Sequence, residues 1–393
     1  DNEPERVDDL LQRMALYDTG EMLLKRWQAP ATVDVTSEPP GAEAQLEKYV
    51  EDERGYLRAE PQGRLGVTPL QGLRLGAGSY RITLRAPGRE DVLYPVMLAR
   101  GEALRIDVPM PKKGSLPPGF VYIPPGRFFM GTAGQELLRS RFFNTAPGHP
   151  VWTDAYLIAR TEVTFADYIP FLESLPVDKR EPFLPKVGSG AGGVGAGMVS
   201  LSLEAGGHWR LTLQPGSVAH TALDTEPLVF SGRQHLRSQV WQRFPVVGID
   251  ATAAQAYAAW LASTGKLPGA RLCTEFEWER GARGGDLRMY ATGQTLGPSD
   301  ANYDQTFGKK PDGIGPVEVG ALPLSTSPFG LVDMTGNITE LTVGSLAPNE
   351  YVLRGGPFGF EEATNRLENR NPVDAGFRVA DGGVRLCSSV VAR

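Results

Sequence analysis

The sequence has few of the residues that build metal or disulfide sites. Only two of its 393 residues are cysteines and four are histidines. The two cysteines, Cys273 and Cys387, are too few for a disulfide-rich scaffold or a cysteine-based zinc site, although they leave room for one bridge. No two histidines have the i, i+2 or i, i+4 spacing of paired metal ligands. A histidine-based metal site is therefore not expected.

Long apolar runs and an excess of basic charge are also lacking. No stretch approaches the roughly 18 apolar residues of a membrane-spanning helix, so no span is expected within this chain. The formal net charge is −6, which provides no basic surface for nucleic acid or anionic lipid. Hydrophobic residues make up 41% of the chain, and its 47 glycines and 32 prolines favour a globular, loop-rich fold.

Residues 1–112 are predicted to form a helical stalk and a small β-domain. Apolar residues recur with helical spacing over residues 1–30, with an interruption at Asp18-Thr-Gly20. Residues 31–112 alternate apolar and polar residues between proline and glycine turns, which predicts a small antiparallel β-sandwich. Segments such as Pro39-Pro-Gly-Ala42 and Ala86-Pro-Gly-Arg89 resemble the PEGA repeat domain of bacterial envelope proteins. That resemblance implies a spacer or adhesion module.

Residues 113–393 are predicted to form one large domain with an insertion at 186–242. The insertion contains a glycine-rich run, Gly188 to Gly197, followed by alternating segments around Trp209. The run includes the pattern G-x-G-x-x-G, but no strand precedes it and no helix follows it, as a dinucleotide-binding unit requires. We therefore interpret the run as a flexible loop.

Four later blocks of the sequence carry a resemblance to a known family. In chain order they are Phe244–Asp250 with the helix Ala253–Trp260, Ala270–Gly285, Ser327–Glu340, and Val352–Gly356 with Gly376–Ala380. Together they resemble the sulfatase-modifying, formylglycine-generating enzymes over residues 118–388. The resemblance implies an α+β, loop-rich fold related to C-type lectins, with its last strand at Gly376-Phe-Arg-Val-Ala380.

The second block also predicts local structure by itself. Thr274 is followed three residues later by Glu277, which is the pattern of a helix N-terminal capping box. Trp278 falls on the face that such a helix buries, so it is interpreted as a core residue. A further helix is expected to begin near Thr164.

The resemblance implies calcium sites, because family members bind two calcium ions at matching positions. Side-chain oxygens alternate there with carbonyls presented by turns, and hard cations such as Ca²⁺ prefer these ligands. The alternative is that these polar residues hydrogen-bond their own turns. One site would use Asn302, the Tyr303 carbonyl, Asp312 and the Ile314 carbonyl, and the other Asp333, the Gly336 and Ile338 carbonyls, and Glu340.

The family's reaction is not predicted for this chain. The aerobic enzymes oxidise a substrate cysteine with a cysteine pair that follows the Arg-Gly-Gly motif and binds copper(I), a soft metal that prefers thiolate ligands. The matching stretch here, residues 357–372, contains no cysteine, so no copper site is expected. Aromatic and polar residues suited to ligand recognition stand there instead. They are Phe358, Phe360, Glu361, Asn365, Arg366, Asn369 and Arg370.

Two structural alternatives remain for these residues and cysteines. The phenylalanines could fill core space and the arginines could form structural ion pairs. The family resemblance also implies a disulfide between Cys273 and Cys387, which would suit an oxidising compartment, with two buried thiols as the alternative.

The leading functional hypothesis is an extracytoplasmic, non-catalytic module that binds or senses an unidentified small molecule, peptide or protein. The domain order resembles the sensor portion of bacterial transmembrane Ser/Thr kinases, tethered by an upstream membrane segment outside this chain. No kinase motif occurs in these residues. The alternatives are an active family enzyme with a reworked site and a retroelement-diversified receptor-binding protein.

Overall fold

The computed structural model describes residues 4–132, 144–187 and 198–390. The chain divides into two units, one formed by residues 1–50 and 58–113 and the other by residues 51–57 and 114–393. The mixture of helices and sheets is the α+β class that the sequence predicts. None of the helices in these described ranges is long and apolar enough to cross a membrane. The glycine-rich run 188–197 lies outside the described residues.

The first unit begins with two helices, α1 (Pro4–Tyr17) and α2 (Met22–Gln28). The break between them falls at the Asp18-Thr-Gly20 step. The Asp18 carboxylate accepts hydrogen bonds from the amides of Met22 and Leu24, both at 2.8 Å. It therefore pairs backbone donors that the first turn of α2 leaves free.

Two sheets form the rest of the first unit. Alternate side chains along the first strand, such as Val33 and Val35, are buried. One sheet has the order β4-β1-β7 and the other β3-β2-β5-β6. The pairing of β1 with β7 is parallel. Parallel neighbours are joined by long crossovers, so the two strands lie far apart in the sequence. Alternation of apolar and polar residues predicts strands but does not predict which distant strands pair. The strands are β1 (Ala31–Glu38), β2 (Glu43–Glu51), β3 (Leu57–Val67), β4 (Leu70–Leu75), β5 (Gly78–Arg85), β6 (Val92–Leu98) and β7 (Ala103–Pro109).

The second unit is built from several small sheets. The sheet β18-β23-β11-β8 joins its first strands to its last, and β9 pairs with β10. A further sheet has the order β21-β20-β19-β22, in which β19 and β22 are parallel. The strands are β8 (Phe120–Ile123), β9 (Gly126–Met130), β10 (His149–Thr153), β11 (Tyr156–Ala159), β18 (Ala270–Leu272), β19 (Thr339–Val343), β20 (Tyr351–Arg354), β21 (Arg370–Val373), β22 (Gly382–Val384) and β23 (Leu386–Ser389).

The insertion contributes an antiparallel sheet, β12-β13-β14-β15, and the short pair β16-β17. Trp209, Leu211 and Leu213 alternate inward along β14 and belong to the main hydrophobic core. The insertion is thus packed into the domain. Its strands are β12 (Lys186–Val187), β13 (Met198–Leu203), β14 (Trp209–Gln214), β15 (His220–Leu223), β16 (Leu228–Val229) and β17 (Ser238–Gln239).

Three α-helices of the second unit begin at side-chain caps. Thr164 and Asp167 form a capping box at α3 (Phe165–Ser174), and Asp250 caps α4 (Ala251–Ser263). Thr274 and Glu277 form the predicted capping box at α5 (Glu275–Arg283). Trp278 is fully buried, which confirms its interpretation as a core residue. Short 3-10 helices span Val177–Lys179, Glu181–Phe183, Trp241–Arg243, Pro323–Ser325 and Glu362–Asn365.

The last strand differs from the prediction. Residues 376–380 lie outside any strand, and the chain ends instead in β22 and β23. Phe377 donates its amide to the Asp374 carbonyl, which closes a turn, and Arg378 forms an ion pair with Asp250 at 2.8 Å. A second Gly-x-Arg segment, Gly383-Val-Arg385, enters the sheet region. The strand expected at residues 376–380 is therefore a turn held by an ion pair, and the terminal strands form after it.

Candidate functional site

The candidate site is the loop that follows the Arg354-Gly-Gly356 motif. Gly355 has a positive φ of 70°, which a residue without a Cβ adopts at low cost. A Cβ on Gly356 would lie 2.5 Å from the Cα of Asn365, so the chain can fold back here only with glycine. The two glycines therefore set the path of residues 357–369.

The start of this loop is tied to α5 by buried charges. Arg354, at the end of β20, forms ion pairs with Glu275 at 3.3 Å and with Glu279. Its guanidinium also donates to the Leu367 carbonyl at 2.8 Å. All three charged side chains are fully buried. The arginine loses its contacts with water on burial, and the ion pairs with the two carboxylates compensate for that loss.

The end of the loop is held in the same way. Glu368 pairs with Arg283 at 3.0 Å, and Arg370 pairs with Glu275 at 3.0 Å and with Glu350 at 2.7 Å. Burial raises the pKa of Glu368, against the opposing effect of Arg283. Both ends of the loop thus rest on one helix, and the loop between them has little freedom.

Several predicted ligand-binding residues take structural roles. Asn369 donates to the carbonyls of Ala363 and Thr364, and Arg370 belongs to the ion pairs above, as the structural alternative expects. Asn365 is buried and donates to the Glu361 carbonyl at 2.9 Å. Arg366 is half-buried beside the hydroxyl of Tyr290.

The other predicted residues meet at a cavity. Phe358, Phe360 and Glu361 line a pocket of about 390 Å³, which we call the Asp381 pocket. Phe358 is buried against the main core and donates its amide to the Asn337 carbonyl at 3.0 Å. Phe360 is half-buried and Glu361 is exposed at the rim. The remaining lining residues are Pro215, Ile314, Gly359, Thr364, Ala380 and Asp381.

Asp381 is a functional candidate that the sequence analysis missed. Its carbonyl accepts from the amide of Thr339 at 2.8 Å, whereas its carboxylate bonds only to its own amide among the described residues. Burial raises the pKa of Asp381 to about 7. No sequence signal distinguishes this aspartate, because its burial depends on the distant loop that covers it.

The first predicted calcium set retains one unpartnered oxygen. The Oδ1 atom of Asn302 is buried and has no hydrogen-bond partner among the described residues, whereas its amide nitrogen donates to the Gly315 carbonyl. Asp312 accepts from the Ser231 hydroxyl at 3.1 Å. A buried oxygen without a partner commonly marks a water or an ion, so this set suits a cation in part.

The second predicted calcium set does not fit a calcium ion. Arg385 binds both oxygens of Glu340, at 2.7 Å and 2.9 Å, and Trp278 donates to the same carboxylate at 2.7 Å. A guanidinium therefore supplies the positive charge there. Burial raises the pKa of the neighbouring Asp333 to about 6, against the effects of the Gly320 amide and Arg385. Among the described residues, no three His, Cys, Asp or Glu side chains converge as a metal site.

The two cysteines lie away from the loop. Cys273 follows β18 and Cys387 lies in β23, and the structure joins them in a disulfide. Both are fully buried. The stretch 357–372 therefore has no thiolate of its own, and none is free elsewhere in the chain.

Most of the chain matches a known protein family. Residues 106–390 match the sulfatase-modifying factor enzyme 1-like domain. The formylglycine-generating enzyme of Mycobacterium tuberculosis is 37% identical over 116 residues, 28% of this chain and 36% of that protein. The inactive C-alpha-formylglycine-generating enzyme 2 of Bos taurus is 34% identical, over 36% of this chain and 52% of that protein.

Two further matches differ in kind. The serine/threonine-protein kinase Pkn1 of Chlamydia trachomatis is 36% identical over 104 residues, 25% of this chain and 14% of the kinase. Among solved structures, Treponema denticola variable protein 1 aligns over 69% of this chain and 95% of its own, at 18% identity and a TM-score of 0.46. The alignments thus span about half or less of the three curated relatives. Because the domain match covers well over half of this chain, the chain belongs to the sulfatase-modifying factor enzyme 1-like family.

Proposed function

We propose that this chain is a non-catalytic module of its family that binds or senses a ligand. The observation that carries the proposal is the loop after Arg354-Gly-Gly356, which has no cysteine while both cysteines of the chain are joined elsewhere. Copper(I) requires soft ligands such as thiolates. A relative whose name describes it as inactive supports the same view.

The position of the Asp381 pocket supports binding. It lies beside the loop that follows the motif, and its walls combine apolar side chains with a few polar groups, as ligand pockets do. Buried ion pairs hold both ends of the loop, so the pocket is preformed. A preformed pocket loses less conformational entropy when it binds a ligand.

The proposed role as the sensor portion of a transmembrane Ser/Thr kinase is supported by the match to Pkn1. An extracytoplasmic location fits the disulfide, which persists in oxidising compartments. We propose a PEGA-like spacer role for residues 31–112. The complete reading frame tests the kinase assignment: a kinase domain and a membrane segment ahead of residue 1 would support it, and a reading frame without them would refute it.

We propose one calcium ion at the first set, held by Asn302, Asp312 and the carbonyls of Tyr303 and Ile314. The support is the unpartnered oxygen of Asn302. Elemental analysis after dialysis against micromolar calcium should find one equivalent, and Asp312→Asn should lose it. Absence of calcium, together with no effect of chelators on the melting temperature, would refute this site.

Oxygen consumption tests the non-catalytic proposal. The full chain should be incubated with copper(I) and a peptide carrying the sulfatase cysteine motif, with the Mycobacterium tuberculosis relative as positive control. No oxygen uptake above the peptide alone, and no aldehyde on the peptide by mass spectrometry, is expected. Multiple turnovers would restore the alternative of an active enzyme with a reworked site.

A further inference from the structure

We infer that the Asp381 pocket binds an organic ammonium group, with the Asp381 carboxylate as its counter-ion. This inference rests on the proposed binding function and specifies the chemistry of the ligand. Three features of the pocket carry it: a buried carboxylate that bonds only to its own amide among the described residues, apolar and aromatic walls, and a lining without basic residues.

The carboxylate of Asp381 is the main feature. Its residue is only 7% exposed, and no other described residue donates a hydrogen bond or an ion pair to its side chain. One oxygen accepts from the amide of Asp381 itself. The other has no partner among the described residues and is not fully enclosed, so it retains some accessible surface. Asp381 lines the pocket, and we infer that this surface borders the cavity.

An ionised carboxylate in this position is costly until a cation joins it. Buried charges in proteins are normally paired, and unpaired ones shift toward the neutral form. The other buried carboxylates around the loop, Glu275 and Glu368, have arginine partners. Asp381 is thus poised to accept a positive charge from a ligand.

The walls of the pocket favour an apolar group on the ligand that carries the ammonium ion. Phe358, Phe360, Ile314 and Pro215 give the pocket an apolar lining. Apolar walls favour an alkyl or aryl group, and phenylalanine rings also attract ammonium ions through their negative faces. An inorganic cation would gain nothing from these apolar walls, and the carboxylates of Asp381 and Glu361 alone give it fewer oxygen ligands than the roughly six to eight that calcium takes.

The charge of the lining excludes anions. Glu361 at the rim adds a second carboxylate, and none of the lining residues is a lysine or an arginine. A carboxylate or phosphate ligand would find no basic partner there. A cavity of about 390 Å³ accommodates a small amine or one lysine side chain of a peptide, which share this chemistry.

Calorimetry with three probes of similar shape and different charge tests the inference on the full chain. The probes are 2-phenylethylamine, 2-phenylethanol and phenylacetate, which share an aryl body and differ in their charge. The amine should bind at least tenfold more tightly than the alcohol, and the carboxylate should not bind. Equal affinities for amine and alcohol would overturn the inference.

Variants locate the effect. Asp381→Asn keeps the shape of the side chain and should weaken amine binding at least tenfold with little effect on the alcohol. The matched control is Asp374→Asn, an exposed aspartate of the same segment, which should bind as the unmodified protein does. Unchanged amine affinity in a folded Asp381→Asn protein would refute the assignment.

A second variant covers the case in which Asp381→Asn does not fold. Phe360→Leu keeps the apolar wall but removes the ring, so amine affinity should fall at least threefold more than alcohol affinity. Equal losses for both probes would count against an ammonium site. The tripeptide acetyl-Gly-Lys-Gly-amide identifies the source: competition with the amine indicates a peptide lysine, and its absence indicates a free amine.

The two proposals fail separately. Binding without charge selectivity would overturn the ammonium assignment and leave a non-catalytic module in place. Oxidation of a cysteine peptide would overturn the proposed function whatever the amine result.

Discussion

The two units of the chain place their charges differently. In the first unit, ion pairs such as Arg85 with Asp91 and Arg105 with Asp107 lie on strand surfaces, with each side chain about half exposed or more. In the second unit, Arg354 and its partners Glu275 and Glu279 are 0% exposed.

The difference follows from the amount of regular structure around each pair. Long paired strands satisfy their own backbone and bury alternate apolar residues, so charges can stay in water. The second unit carries its site on a loop, and buried charges at both ends hold that loop to α5. Buried pairs cost desolvation energy, so we infer that they specify the loop conformation more than they add net stability.

The largest effect is expected from removing Arg354. Arg354→Ala leaves Glu275 and Glu279 with fewer partners in a buried environment, and breaking such a pair costs about 3–5 kcal/mol. The free energy of unfolding from urea titration measures this loss. A loss below about 1 kcal/mol would show that the charges are better hydrated than their burial indicates.

The next largest effect is expected from the disulfide. Cys273→Ser with Cys387→Ser removes a link across 114 residues and should cost about 2–4 kcal/mol, mainly by freeing the unfolded chain. Thermal unfolding with and without reductant measures the cost. If reductant lowered the melting temperature of the double variant as well, the disulfide would not explain the effect.

A smaller, pH-dependent effect is expected at Asp381. Its pKa is raised to about 7 from 3.8, so the folded state holds a proton that the unfolded state releases between these values. This contribution to stability is present below pH 3.8 and is lost as the pH rises toward 7. The shift corresponds to about 4 kcal/mol at pH 8 and to about 2 kcal/mol at pH 5, so Asp381→Asn should raise the unfolding free energy by about 2–3 kcal/mol more at pH 8 than at pH 5.

Calorimetric melting at both pH values measures this difference, with Asp374→Asn as the exposed control. A variant that is equally stabilised at pH 5 and pH 8 would show that Asp381 does not titrate in this range. A destabilised variant at pH 8 would show that the ionised carboxylate has a partner in the folded protein.

The smallest effect is expected on the first unit. Arg105→Ala removes an exposed pair and should change the unfolding free energy by ~0.5 kcal/mol or less. A loss comparable to that of Arg354→Ala would remove the contrast between the two units. Urea titration under the same conditions makes the comparison direct.

The sequence predicts features whose signals are local. Thr274 and Glu277 form their capping box within four residues, and Trp278 lies on the inner face of the same helix. The Arg354-Gly-Gly356 motif likewise marks the site, because the close approach to Asn365 requires glycine at one position.

The features that it does not predict depend on distant partners. The segment Glu275 to Arg283 has the charge pattern of an exposed helix face, yet Glu275 and Glu279 are buried because Arg354 and Arg370 arrive from later strands. The segment Gly376–Ala380 does not form the expected last strand, because Arg378 is held by the distant Asp250. Asp381 becomes a pocket residue only once residues 357–361 cover it.

Copper(I) binding tests the central claim most directly. Cys273→Ser with Cys387→Ser has no thiol, so any copper it holds cannot come from the reduced disulfide. Anaerobic titration against a copper(I) chelator is expected to find no stoichiometric copper in this variant or in the disulfide-bonded protein. One tightly bound equivalent in both, with oxidation of a cysteine peptide, would contradict the account and make the chain an enzyme with an unrecognised metal site.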